Sequence, residues 1–538
     1  MKIVARSVAF AAIALLLMAG CGGFGTHLSL PRSGGVAPAT TSTTGARAIQ
    51  EADIYKLLGN TLYILNADAG FQVVDVTTVQ SPQLLVTLPT SSTPRQIYVE
   101  GTTAYVLASN VNDVNCGGYQ GVCGWNTPGG VTTQVMVIDV TSPGSPKVLG
   151  SQSLPGDLQD SRIVGHVLYV AGIDATGTKA LVASYDVSNP KSFAKVAEVD
   201  FPYGDWDIGV FLNVTSTRII VAQTGDTCDL VHETGSCTDA PVTQFVPIDI
   251  TDPNGALTLG TSFTANGVVW DRWALDFDPV TGIFRALMSS DWNGNSGGGM
   301  LAVWSAPSTT LPPTLLGSLN FTAGDHITAA AFDGPRVYVS SNTGAAGCPD
   351  PLTVLDTTTP AQPTKLASIE VPGVNDYLAP NGDRLLSLGH ADPGTSTACG
   401  QGQGYVSFQG SGALALSLFD VSSASSPKLV SQVTFGGAQS MIAANRNDLQ
   451  KAVLVSNALG LVLVPFQDAA LSTQDQSDTQ LIDLGPSSLG LRGKVSQQGL
   501  VLRAFPVQND VVAFSDESLQ VLDISNRDQP ATAAKLGL

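Results

Sequence analysis

One short phrase of sequence recurs along this chain and constrains the fold more than any bulk property. An apolar run ends in Asp, a turn rich in Ser, Thr and Pro follows, and a second apolar run returns. Copies begin at Phe71 (FQVVDVTTVQSPQLLVTL), Val135, Leu181, Phe245, Leu352 (LTVLDTTTPAQPTKLASI), Leu414, Thr479 and Leu519. A ninth, from Leu301, keeps the pattern without its Asp. Each copy reads as two strands, the first rich in β-branched residues. The Asp residues 75, 139, 186, 249, 356, 420, 483 and 523 read as turn-formers, bonding their side chains to backbone just downstream. A catalytic acid would be unique, whereas these recur from unit to unit.

Upstream of each copy lies a second hairpin, as in RQIYVEGTTAYVLAS (Arg95–Ser109), SRIVGHVLYVAGI (Ser161–Ile173) and AAFDGPRVYVSSN (Ala330–Asn342). Four short strands per unit at a regular period predict blades. A lone four-stranded sheet cannot bury both faces, but a ring of sheets can, and it leaves only short edges. The expected fold is all-β: a single closed β-propeller of four-stranded antiparallel blades, eight or nine of them. One ring also accommodates the 538 residues, which otherwise suggest several domains. Tandem sandwiches are the rival, but they do not require one phrase in every unit. The units at 270–320 and 498–538 carry the pattern least clearly. The first unit starts on its inner strand near Ile54 and the last ends on its outer strand at Leu538, so no exchanged strand is expected to close the ring.

The N-terminus reads as an address. Lys2 and Arg6 precede an apolar stretch, Ser7 to Met18, too short to span a bilayer comfortably. Met18-Ala19-Gly20-Cys21 is similar to the lipobox of bacterial lipoproteins. That resemblance implies cleavage before Cys21, diacylglycerol on its sulfur and, with Gly22 rather than Asp next, the outer membrane. Residues 1–20 are expected as signal peptide, 21–49 as lipidated Cys and flexible linker rich in Gly, Ser, Thr and Pro, and 50–538 as propeller.

Six further cysteines remain: Cys116, Cys123, Cys228, Cys237, Cys348 and Cys399. An even number in polar loops fits disulfides in an oxidising compartment. Cys116 is expected to pair with Cys123 and Cys228 with Cys237, leaving Cys348 for Cys399. A metal site using His232 is the competing reading, but neither close pair has zinc-knuckle spacing. The long insertions, 110–134, 225–244, 290–300, 344–351 and 390–413, read as connections between second and third strands, which share one face of a propeller. That face is where a ligand or partner is expected.

Within it, Asp291, Asn293 and Asn295 alternate as in a calcium loop. Ser296 stands where Gly is usual, and no Glu closes the shell near Ala302. Calcium is therefore a possible cofactor and a solvated turn the plainer reading. GNSGG, at 294–298, resembles the nucleophile segment of chymotrypsin-like proteases, but a triad needs its own scaffold and the chain has five His. Phosphate, dinucleotide and zinc-protease motifs are absent from the sequence. The net charge of −19 disfavours nucleic acid.

The segments EADIYKLLGNTLYIL (Glu51–Leu65), HITAAAFDGPRVYVSSNTG (from His326), DPLTVLDTTTPAQPTKLASIEVPGVNDYLAP (from Asp350) and LALSLFDVSSASSPKLVSQV (from Leu414) resemble a bacterial secreted β-propeller family distantly related to WD-repeat proteins. The resemblance runs over roughly 50–538 and is thinner between 200 and 320. It implies fold and export, and the family brings no established activity. Members often carry His where this chain has Ala379, so any role of that His is lost. The sequence thus points to a lipid-anchored, extracytoplasmic monomer that binds a protein or cell-envelope polymer and meets the membrane through its lipid alone. The alternative is an extracytoplasmic hydrolase or lyase with its site at the axis. A purely structural envelope protein is the third reading.

Overall fold

The computed structural model describes residues 47–538 apart from 111–131, 175, 204–209, 227–239, 291–297, 322–325, 343–349, 372, 392–412, 438–439, 443, 445–447 and 469–475. The strands form nine antiparallel sheets in chain order. They are blades one (55–88), two (93–155), three (157–202), four (210–266), five (275–320), six (326–371), seven (374–435), eight (454–498) and nine (501–537). The recurring phrase forms the third and fourth strands of each blade, so it is the outer half, as its pattern predicts. Blade four departs slightly, with its outer strand split into Thr258–Leu259 and Phe263–Asn266.

Second strands such as Thr103–Ser109 and Val167–Ile173 read as near-continuous apolar runs and are buried throughout, because both of their faces are covered. Apolar clusters join every neighbouring pair of blades around the ring. Blade one meets blade nine through Tyr55, Ile64, Phe505 and Phe514, with Tyr55 and Phe505 stacked at 4.3 Å. The Asn66 amide also donates to the Asp516 carbonyl at 2.7 Å. Blade nine supplies all four of its own strands, so first and last blades meet by packing rather than by strand exchange.

The turn reading of the recurring Asp holds at seven positions. Asp75, Asp139, Asp186, Asp249, Asp356, Asp420 and Asp523 each accept the backbone N–H two residues on, at 2.8–3.0 Å. Asp483 is a correction. It accepts instead from Arg492 at 2.7 Å and Arg527 at 2.5 Å. Two residues after it stands Gly485, whose N–H goes to the Ser488 carbonyl at 2.9 Å, so the turn takes another course. In blade five Ser305 takes the missing Asp's place, and its hydroxyl accepts from Thr314 N at 2.9 Å.

Strand direction sorts the connections between two ends of the ring. First-to-second and third-to-fourth turns lie at one end, and most are tight. The strand ends flanking 111–131, 227–239, 291–297, 343–349 and 392–412 are those of second and third strands and lie at the other. One long connection was not expected. Residues 436–453, between blades seven and eight, carry the short helix Leu449–Ala452. Its Gly436-Gly437 start and polar middle match no strand pattern, and blade-to-blade connections turn at the same end as second-to-third ones. Among the described residues no helix is long and apolar enough to cross a membrane.

Candidate functional site

The chain enters the ring before its first blade. Residues Ile49–Glu51 form a strand that adds to the inner edge of blade three, antiparallel to its inner strand. This makes blade three five-stranded and puts the leader strand at the axis. The residues just before it are already held. Arg47 donates to the carbonyl of Ser216 at 2.7 Å and to that of Ile250. Gly165 N donates to the Ala48 carbonyl at 2.8 Å. Two residues past the strand, the Asp53 carbonyl accepts from Ile97 N of blade two at 2.8 Å. The Ile54 carbonyl then accepts from Leu65 N of blade one at 2.8 Å.

The leader's carboxylates gather charges from around the ring. Glu51 pairs with Arg272 ahead of blade five, with Lys451 of the short helix at 3.2 Å and with Arg162 of blade three at 3.8 Å. Asp53 accepts from Arg503 of blade nine at 2.7 and 3.0 Å. Asp160 takes Arg162 at 2.6 Å and stands 3.8 Å from Arg272. Asp448 takes Lys451 at 3.0 Å. Arg272 also lies over the Trp273 ring at 4.3 Å, a face that favours a cation.

Local backbone places these groups. Several inner strands carry a bulge near their start, between Pro94 and Gln96, Leu158 and Asp160, Ile327 and Ala329, Asn375 and Tyr377, and Val501 and Arg503. A bulge re-aims the side chains beside it, and Asp160 and Arg503 each directly follow one. Arg272 sits in a single helical turn whose N–H groups at Trp273 and Ala274 are capped by Asp271 at 2.8 and 3.0 Å. Arg272 and Lys451 precede their inner strands and Asp160 and Arg503 stand near the starts of theirs. The cluster therefore lies toward the end where the long connections leave.

Its electrostatics keep every shifted member charged. Burial works against the Glu51 carboxylate, but Arg272, Arg162 and Lys451 outweigh it and hold Glu51 far below the usual carboxylate range. Glu51 nevertheless keeps 37% of its side-chain surface accessible. Its carboxylate is therefore partly solvated rather than sealed in dry interior. Asp448 is likewise opposed by burial and held down to about 2, chiefly by Lys451 and then Arg503 and Arg272. Burial disfavours the Lys451 cation too, yet Asp448 and Glu51 raise its pKa. Arg162 and Arg503 follow the same rule, each stabilised by its carboxylate partner against burial.

A second polar site lies in blade seven. His390 ends the second strand, and its Nε2 meets the Ser440 carbonyl at 2.9 Å. Its Nδ1 stands 3.7 Å from Asp376, within ion-pair range but beyond a hydrogen bond. Asp376 is the bulge residue of the inner strand. The bulge fits because Gly389 opposes it: a Cβ there would lie 1.8 Å from the Val374 carbonyl oxygen. Burial opposes protonation of His390, but Asp376 and the Ser440 carbonyl outweigh it and raise its pKa. With Nε2 on a backbone carbonyl, the ring staples blade seven to the connection that follows it.

The residues singled out from sequence fall elsewhere. Cys21, Cys116, Cys123, Cys228, Cys237, Cys348, Cys399, His232, Asp291, Asn293 and Asn295 all lie outside the described residues. Ala379, where the family often has His, is buried in the apolar cluster between blades seven and eight. The axial residues Glu51, Asp53, Asp160, Arg162, Arg272, Asp448, Lys451 and Arg503 were not anticipated. A signal existed in Arg503, the single charge inside the apolar inner strand VLRAFPV. Nothing local pairs Arg503, since its partner Asp53 lies 450 residues away.

A nine-bladed β-propeller with its own N-terminal strand along the axis is the class of protein these features define. The sequence matches the family described as beta propeller domain over residues 41–179 and 210–527, and the chain belongs to that family. No curated protein matches it. Among solved structures, it is similar to a hypothetical selenium-binding protein from Sulfolobus tokodaii, at 12% identity and TM-score 0.34, over 71% of this chain and 92% of that one. It is also similar to a putative 6-phosphogluconolactonase from Bacteroides uniformis, at 10% identity and TM-score 0.34, over 69% and 95%. A third similarity is to a prolyl endopeptidase, at 12% identity and TM-score 0.36, over 70% of this chain and 49% of that one. Likenesses this distant carry no activity to this chain.

Proposed function

We propose that this chain is a lipid-anchored, extracytoplasmic propeller that binds a protein or cell-envelope polymer at the end of the ring where the long connections leave. The observation that carries this reading is their common placement. The strand ends flanking 111–131, 227–239, 291–297, 343–349 and 392–412 all turn at that one end. Variable, functional segments on a rigid scaffold are a common basis of recognition. The entry point supports it as well. Arg47 is held against Ser216 and Ile250, among the tight turns of the opposite end. The chain thus enters the ring at the end opposite the proposed binding end.

The alternative, a hydrolase or lyase with its site at the axis, calls for groups poised near neutral pH. Titratable groups do cluster at the axis, which speaks for chemistry there. Their shifts run the other way: Glu51 and Asp448 are pushed down and Lys451 up. Such groups hold charge rather than exchange protons, so the axis favours recognition and scaffolding.

The test is capture from a crude envelope extract, using the chain from Gly22 onward as bait, with calcium and with chelator. A saturable partner is expected, lost when 392–412 is replaced by a short turn in a variant of unchanged stability. A partner retained by that variant moves recognition away from this end. A difference between calcium and chelator promotes Asp291, Asn293 and Asn295 to a metal site. Cys21→Ser is expected to release the protein from membranes, and a variant that stays membrane-bound removes the anchor from the reading.

A further inference from the structure

The leader strand is held unlike the blade strands around it. Three residues pair, in the register Ile49↔Val164, Gln50↔Ile163 and Glu51↔Arg162. Ile49 is 38% exposed, and Ala48 and Glu51 are exposed as well. Apolar burial, which fixes the blade strands, contributes little along these residues. Backbone pairing and charge hold them. In an extended strand, residues i and i+2 face the same side and i+1 the other. Ala52 accordingly faces inward, 2% exposed, in the apolar cluster between blades two and three. Glu51 and Asp53 face the cations: Arg162, Arg272 and Lys451 for the first, Arg503 for the second. Four cations from four parts of the ring thus converge on one Glu-x-Asp spacing beside the inner edge of blade three. Glu51 also keeps 37% of its side-chain surface accessible, so the place is reachable by solute.

We propose that the axis is a strand-acceptor site for an acidic, extended peptide carrying carboxylates at positions i and i+2, and that Glu51-Ala52-Asp53 occupies it in cis. The inner edge of blade three supplies the backbone pairing, as in recognition by strand addition. The guanidinium groups of Arg272 and Arg503 supply charge-assisted bonds to the two carboxylates. The leader, being tethered, competes at an effective concentration on the order of millimolar. An acidic peptide in trans therefore binds weakly to the closed ring and more tightly to a ring whose leader has lost its charge. This site is separate from the long connections and stands or falls apart from them.

The test is fluorescence anisotropy of a labelled peptide with the sequence of residues 48–54, AIQEADI, titrated with the full chain. A Glu51→Gln/Asp53→Asn double variant is expected to bind it about tenfold or more tightly than the wild type does. A peptide with Gln and Asn in place of its acids should bind neither. Equal binding by the two proteins, or equal binding of the two peptides, overturns the proposal. Should the double variant not fold, the wild type gives a second readout. Trypsin cleavage after Arg47, which its bonds to Ser216 and Ile250 hinder, should accelerate with millimolar acidic peptide and not with the amide peptide. Cleavage unchanged by the acidic peptide also overturns it.

Discussion

The carboxylates of the blade turns and those of the axis are the same chemical group put to opposite uses. A turn aspartate such as Asp139 is half-buried and local: it accepts the N–H of Thr141, two residues on, at 2.9 Å. Its pKa is lowered by the Thr141 side chain and backbone N–H. Glu51 bonds to nothing nearby in sequence; its partners lie 111, 221 and 400 positions away, at Arg162, Arg272 and Lys451. The first kind shapes one hairpin and is repeated. The second ties distant blades together and occurs once. Repetition therefore marks local geometry in this fold, and the unrepeated charges mark where the ring acts as a whole.

The largest effect should come from breaking the axial set. Arg272→Ala removes a cation whose side chain is 6% exposed. Losing one partner of a fully buried pair costs about 3–5 kcal/mol. Glu51 keeps solvent contact and two other cations, so roughly 2 kcal/mol is expected, read from the denaturant midpoint. A loss no greater than that of a turn variant would erase the distinction between the two regions.

Acid should act on the same set. Glu51 and Asp448 have folded-state pKa values below their ordinary 4.5 and 3.8. The stability they contribute is complete above about pH 4.5 and is lost as pH falls toward about 2. Glu51→Gln should flatten that acid limb in a denaturation series against pH, and an unchanged limb would assign it to other carboxylates.

His390 works in the other direction. Its pKa is raised above the ordinary 6.5, so its contribution is full below that pH and disappears as pH rises through the raised value. His390→Gln should remove a decline in stability on the alkaline side of neutrality. The same decline in wild type and variant would show that the Asp376 pairing has no energetic weight.

The smallest effects belong to the turns, and they separate Asp483 from its counterparts. Asp483→Ala loses bonds to Arg492 and Arg527 and should cost about 1 kcal/mol. Asp139→Ala loses a single solvent-exposed turn bond and should shift the midpoint less. The reverse order would mean that the Arg pairs at Asp483 are ornamental.

The same contrast explains what was legible beforehand. The phrase from Phe71 to Leu88 announces two strands and a turn because its apolar run, Asp75 and Thr77 act within a few residues of one another. Its recurrence announces blades. The exception at Asp483 was visible only in part: Gly485 and Pro486 alter the turn, but Arg527 comes from a different blade. The candidate site was legible less well. Insertions such as 392–412 could be placed between strands because interrupted periodicity is a local signal. The leader Arg47–Asp53 could not be placed, since its Gly-, Ser- and Thr-rich approach resembles a linker and its three-residue strand has no pattern of its own.

By itself the sequence determined the strands, their turns and their repetition, and with them an all-β ring of about this many blades. It did so because backbone hydrogen bonding and burial on alternating faces act over short spans. Only the tertiary structure decided that there are nine blades, that Tyr55 stacks on Phe505 where the first meets the last, and that residues 49–53 lie along the axis. Those outcomes depend on how many sheets fit around a ring and on charges hundreds of residues apart. Coulomb attraction responds to distance in space and is indifferent to distance along the chain.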